Sequence, residues 1–132
     1  MTTFKEVKDS GSRREFTTGS RRDVDTNKPR YDLIPILFLE RLGHHCANGA
    51  KKYGDRNWEK GQPLMTYYAS ADRHAKAAVK GLEDEDHLAA WAWNAMAFMW
   101  TLEQIKYGLL PEELDDRPRD CSWAGDFPPM PA

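Results

Sequence analysis

The segment DEDHLAAWAWNAMAFMWTLEQIKY, from Asp84 to Tyr107, limits the possible folds more than any other part of the chain. Leu88, Trp91, Ala92, Ala95, Met96, Met99 and Leu102 recur at intervals of three and four, the period of an α-helix, and Gly108 ends the pattern. Trp91, Trp93, Met96, Phe98, Met99 and Trp100 spread around nearly the whole circumference, so one neighbouring helix cannot cover them all. Either the chain's tails or another subunit must do so, and a helix apolar on every side favours the second. A homo-oligomer, dimer or tetramer, is the expectation.

Two further helices are predicted. One runs from about Ile34 to Asn48, with Asp32 as cap, Pro35 in the first turn and Gly49 as the stop. The other, from about Leu64 to Lys80, sets Leu64, Tyr68, Ala71, Ala75 and Ala78 at helical spacing before Gly81, a narrow stripe that permits close packing. Between them AKKYGDRNWEKGQP, rich in glycine, is expected to be a loop. No stretch of four or more alternating residues predicts a strand and no segment repeats, so the fold class is all-α, a helical bundle. At 132 residues and 40% apolar, the chain has material for one core. That core is expected within residues 32–110, between an N-terminal arm at 1–31 and an acidic, Pro-rich C-terminal strap at 111–132.

With 19 basic against 21 acidic residues, the net charge of −2 gives no electrostatic reason to coat nucleic acid or an anionic membrane. No stable nucleic-acid partner is expected. No apolar run approaches the roughly 20 residues of a membrane helix, and MTTFKEVKDSGSRREF lacks the apolar stretch of a signal peptide, which points to the cytoplasm. Cys46 and Cys121 have no CxxC spacing and are expected to be reduced. A zinc site from His44, His45, Cys46 and His74 is disfavoured, because adjacent residues on a helix point apart.

Three groups of residues can carry chemistry. The acidic run Glu83, Asp84, Glu85, Asp86 precedes the apolar helix, with Glu40 and His44 spaced i, i+4 on the first helix. Such a run can simply complement the helix dipole. Carboxylates such as Glu83 and Asp86 also suit Mg²⁺ or Mn²⁺, which would relieve their mutual repulsion. His87 and Asn94, seven residues apart on one helix face, are either a hydrogen-bonded core pair or part of the same site. Lys51, Lys52, Tyr53, Asn57, Trp58 and Lys60 set cations beside aromatics, as an ordinary solvated loop or as a nucleotide-binding one. Arg73 and His74 can add phosphate contacts, and Lys28 and Arg30 stand where an anion at the first helix's start would meet them. There is no Walker loop, GxGxxG or Ser/His/Asp signature, so a protein nucleophile is not expected.

Read together, KPRYDLIP at 28–35, GAKKYGDRNWEKG at 49–61, DRHAKAAVKGLEDED at 72–86 and HLAAWAWNA at 87–95 resemble the phage and bacterial dATP/dGTP diphosphohydrolase family, within the MazG-like all-α NTP pyrophosphatases. The resemblance spans residues 28–103, is most specific at GAKKYG and NWEKG, and is greatest to the MazZ-type dGTP pyrophosphatases that feed 2-aminoadenine synthesis. It implies an α-helical oligomer that cleaves a nucleoside triphosphate, dGTP or GTP and alternatively dATP, to monophosphate and pyrophosphate. It also implies Mg²⁺ or Mn²⁺ held by an ExxE pair on one helix and an ExxD pair beginning another. Glu83 and Asp86 match the second pair. Glu40 matches the first in part, since Gly43 stands at its second position and His44 follows; a shifted register would use Asp84 and His87.

On this reading Glu40, Glu83 and Asp86 are catalytic, with His44 and Asp84 as further metal ligands and one acid of the run orienting the attacking water. Lys28, Lys51, Lys52, Arg73 and His74 are expected on the phosphate side of the substrate, and His87 is expected to bind substrate or stand in the metal shell. Asp32, Asn57, Trp58 and Asn94 are the other substrate-binding candidates, with Asn57 or Asp32 reading the base. The competing expectation is a non-catalytic helical module, its Arg-paired arm touching nucleic acid and its aromatic helix docking a partner.

Overall fold

The computed structural model describes residues 3–118, which divide into two compact units, one up to Ile34 and one from Pro35. Cys121 and the Pro-rich end of the strap lie outside the described residues.

The first unit contains a two-stranded antiparallel ribbon, β1 (Arg13–Glu15) and β2 (Arg21–Asp23). This corrects the expectation of no strand: at three residues each, the strands are too short for alternation to reveal them. Two of the ribbon's three cross-strand pairs join opposite charges, while the middle one sets Arg14 against Arg22. Arg13 faces Asp23 and Glu15 faces Arg21 across the ribbon, opposite-charge pairs of the kind that stabilise a ladder. Arg13 also grips Asp9 with two guanidinium bonds of 2.7 and 2.8 Å, Arg14 pairs with Asp25 at 2.9 Å, and the Asp23 carboxylate accepts from the Ser10 hydroxyl and amide. Gly19, at φ +85°, supplies the left-handed residue the reversal needs.

The second unit is helical. Helix α1 spans Ile36–Tyr53, beginning later and running further than expected. Its start is set by Pro35, which keeps Ile34 extended, while Asp32 forms part of a short 3₁₀ turn and hydrogen-bonds Arg30 instead of capping. Gly49 does not stop the helix. One glycine in a helix interior costs about 1 kcal/mol, and Ala50, Lys51 and Lys52 beyond it are good helix formers, the lysines favourably placed at the negative end of the dipole. The stop comes at Gly54, whose φ of 91° suits glycine. Lys51, Lys52 and Tyr53 are therefore helical, and only the stretch after Gly54, with a 3₁₀ turn at Asn57–Lys60, is loop.

Helix α2 (Leu64–Val79) begins after Pro63, which offers no side-chain cap. The cap arrives from far along the chain: the Asp116 carboxylate accepts from the Met65 amide at 2.9 Å. Nearby, Leu114 and Leu110 cover Gly61, where an added Cβ would lie 2.7 and 3.3 Å from their methyl groups. Helix α3 (His87–Lys106) starts three residues later than expected, because Asp86 is its N-cap, accepting from the Ala89 amide at 3.1 Å.

Helices α2 and α3 form an antiparallel pair, with α1 against α3. The buried set is Leu64 and Tyr67 of α2 with His87, Ala89, Ala90, Asn94, Ala97 and Thr101 of α3. The alanine face of α3, and not its bulky face, is thus the one turned inward, since small residues let two helix backbones approach closely. Trp58, Tyr67, Trp93, Trp100 and His45 add a cluster of edge-to-face and tilted rings, from 4.9 to 6.1 Å apart, that locks the loop onto the helices. Ile36 and Leu37 of α1 and Leu88, Trp91 and Met99 of α3 remain exposed. The fold is all-α apart from the small ribbon, and none of its described helices is long and apolar enough to cross a membrane.

Candidate functional site

The turn from Gly81 to Asp86 joins α2 to α3 and carries the four acids. Gly81 takes φ +80° directly after α2, which reverses the chain and brings the acids beside His74 of α2 and His87, the first residue of α3. His87 is 8% exposed. Its Nε2 lies 2.7 Å from Asp84 Oδ1; an ionised carboxylate only accepts, so this contact assigns a proton to Nε2. The same bond holds the Asp84 carboxyl below its ordinary value.

His87 Nδ1 faces His74 Nδ1 at 3.0 Å, and Glu85 Oε1 stands 3.4 Å from the His74 nitrogen and 3.9 Å from that of His87. One ligand atom from each of His74, Glu85 and His87 therefore falls within 4.8 Å of the others. Two imidazole nitrogens and a carboxylate oxygen converging on one small volume form a donor set for a divalent cation, and a carboxylate behind the far nitrogen of a liganding histidine is the usual means of fixing its ring.

The other predicted residues are placed as follows. Asp86 is engaged by Arg41 of α1 through two bonds of 2.8 and 2.6 Å, and the guanidinium draws its carboxyl down to about 2. Glu83 lines an open cavity of about 510 Å³ together with Arg41, Glu85, Asp86 and His87. Glu40 and His44 are exposed on α1, and Arg41 of the same helix forms an ion pair with the acidic turn. Lys51 and Lys52 are exposed in the last turn of α1, and Arg73 is exposed on α2 next to His74. Asn57 is half-buried in the 3₁₀ turn, and Trp58 is committed to Trp93 and Trp100 at 5.5 and 4.9 Å. Asn94 is buried on α3 and donates to the Ala90 carbonyl at 2.8 Å. Lys28 and Asp32 belong to the first unit.

Two members of the site were not singled out by sequence. Glu85 was visible only as part of the acidic run, where i, i+3 spacing drew attention to its neighbours, and that spacing has no meaning in a turn. Arg41 carries a signal in the sequence, a lone cation within the apolar start of α1.

The junction of α2 and α3 in this all-α unit thus gathers acids, imidazoles and a guanidinium. Residues 18–114, well over half of the chain, match the model of the N-terminal domain of dATP/dGTP diphosphohydrolase, and the chain belongs to this family. The family makes it a nucleotide diphosphatase with a nucleoside triphosphate as substrate. No curated protein and no solved structure is similar enough to the chain to count as a match.

Proposed function

We propose that the protein is a metal-dependent, MazG-like nucleoside triphosphate pyrophosphohydrolase that converts dGTP or GTP, and secondarily dATP, to the monophosphate and pyrophosphate. Its place is phage nucleotide metabolism that serves 2-aminoadenine DNA, in the host cytoplasm, as a homo-oligomer. The observation that carries this reading is the convergence of His74, Glu85 and His87, with Asp84 fixing the ring of His87.

These three residues would hold a divalent cation. Of Mg²⁺ and Mn²⁺ the second is the better fit, because Mg²⁺ prefers an all-oxygen shell and two of these donors are nitrogens. When bound, the ion would supply positive charge that offsets the phosphate oxygens and favours loss of a proton from a nearby water. Glu83, on the cavity wall, orients the water and takes its proton. The water oxygen bonds to the α-phosphorus, the bond from that phosphorus to the bridging oxygen breaks, and pyrophosphate leaves with the bonding electrons. Lys51, Lys52 and Arg73 clamp the phosphates. Glu40, His44 and Asp86 are the candidates for a second ion, and Asp86 becomes available only on releasing Arg41. The exposed Ile36, Leu37, Trp91 and Met99 supply apolar surface for a partner subunit.

The test is pyrophosphate release by the full chain from a panel of deoxynucleoside and nucleoside triphosphates with Mn²⁺ or Mg²⁺. Release is expected only with the metal, fastest with dGTP or GTP, and at least about a hundredfold slower in Glu85→Gln. Full turnover in a chelator, or in that variant, overturns the assignment. Sedimentation should give a mass above that of one chain.

A further inference from the structure

The cluster at the α2–α3 junction suits phosphates and cations, and leaves the base of the nucleotide to be held elsewhere. A second cavity, of about 240 Å³, lies along the same pair of helices, lined by Tyr67, Tyr68, Ala71, Asn94, Ala95 and Phe98. Its position follows from helical periodicity. His74, Ala71 and Tyr67 stand on one face of α2 at steps of three and four, and His87 and Asn94 stand on one face of α3, seven residues apart. Seven residues of helix are about 10 Å, the scale of an extended nucleotide from its reacting phosphate to its base.

The cavity's chemistry is that of a ring slot. Tyr68 and Phe98 offer aromatic surface, and Ala71 and Ala95 keep the space between the helices open. Asn94 is 5% exposed, and its Nδ2 is held by the Ala90 carbonyl at 2.8 Å, so the side chain cannot turn over without losing that bond. Among the described residues its Oδ1 accepts no hydrogen bond, and that oxygen is not one of the fully buried unpartnered atoms, which are Tyr67 Oη and Thr101 Oγ1, so it is open to a ligand or to water. An apolar cavity with a fixed acceptor suits a heterocycle that presents an N–H.

We propose that this cavity receives the purine base of the substrate, stacked on Phe98 and Tyr68, with Asn94 Oδ1 accepting a hydrogen bond from a base amino or imino group. The proposal rests on the nucleotide-hydrolase reading and gives its base a place. Guanine offers the imino N1–H and the 2-amino group, and adenine offers the 6-amino group. Unsubstituted purine has no N–H on its six-membered ring, and a site that expects one leaves Asn94 unpaired when that base binds.

The experiment compares dGTP, dATP and the unsubstituted purine deoxynucleoside triphosphate in three proteins: the unaltered chain, Asn94→Ala and Ala95→Leu. Ala95 is exposed, so the leucine narrows the slot with little strain on the core. The unaltered enzyme should prefer dGTP and dATP over the bare purine by at least about tenfold in kcat/KM. Asn94→Ala should remove most of that preference, and Ala95→Leu should raise KM about tenfold with kcat retained. Binding of deoxyguanosine, which carries no phosphate, is followed in parallel by saturation-transfer NMR without metal, and Ala95→Leu should abolish it. If the unaltered chain hydrolyses dGTP while Ala95→Leu leaves both KM and deoxyguanosine binding unchanged, the base site is refuted and the hydrolase reading stands. If no triphosphate is hydrolysed but deoxyguanosine binds and Ala95→Leu removes it, the hydrolase reading fails and the base site stands. Uniform loss of kcat in Asn94→Ala, with the base preference intact, would also refute the role given to Asn94.

Discussion

The two units of this chain keep their shape by different means. In the first, the ordering contacts are ion pairs and carboxylate hydrogen bonds between exposed side chains: Arg13 with Asp9, Arg14 with Asp25, Asp23 with Ser10. In the second, small residues bring α2 and α3 together around Leu64 and Tyr67, and rings from the loop and all three helices interlock. Exposed pairs are worth little and are screened by salt, whereas burial is neither. The titratable cluster at the α2–α3 junction therefore sits on the support that is held by burial, where a site can be held in place by packing.

Several changes would break or sharpen this contrast, and the largest effect belongs to the cluster itself. His87→Ala should lower metal-dependent pyrophosphate release by about a hundredfold or more, and isothermal titration should show loss of Mn²⁺ binding. The paired change Asp9→Asn with Arg13→Gln in the first unit should leave turnover within about twofold; an equal loss in both would erase the distinction. Next comes packing: Leu64, fully buried, should cost about 3 kcal/mol when cut to alanine, read from urea denaturation.

A smaller effect is expected where charge serves the helical unit. Asp86→Ala removes the cap of α3 and should cost about 1 kcal/mol, while Asp86→Ser should restore much of it without restoring the Arg41 pair, which separates capping from pairing. The smallest effect is acid sensitivity in the first unit. The Asp9 and Asp23 carboxyls lie below their ordinary value of 3.8, through Arg13 and the Gly11 amide for Asp9 and through the Ser10 hydroxyl and amide for Asp23. Because these values are lowered by folding, the contacts favour the ribbon at any pH above 3.8 and are lost as pH falls through the lowered values. Amide exchange at Ser10 and Gly11 should accelerate there, before the amides of α3 respond.

Sequence periodicity was informative in proportion to element length. Helix α3 was legible because twenty residues repeat its period, but which face turns inward was not. Bulky side chains suggest burial, yet close approach of two backbones selects alanine. The end of α1 was obscured by Gly49, whose helix-breaking tendency is outweighed by the formers that follow it. The ribbon left no hydrophobic trace, since every residue of its two strands is charged. At the site, the acidic run and His87 stood out by composition alone. The partnership of Glu85 with His74, and of Arg41 with Asp86, was not legible, because both depend on how the turn between α2 and α3 folds back.

The cap that Asp116 lends to Met65 also orders events in time. A ribosome releases the chain from its N-terminus, so the first turn of α2 emerges long before the carboxylate that closes it, 51 residues later. Until the segment beyond α3 arrives, the Met65 amide has only water to bond, so this one contact is completed after α2 and α3 have both been made.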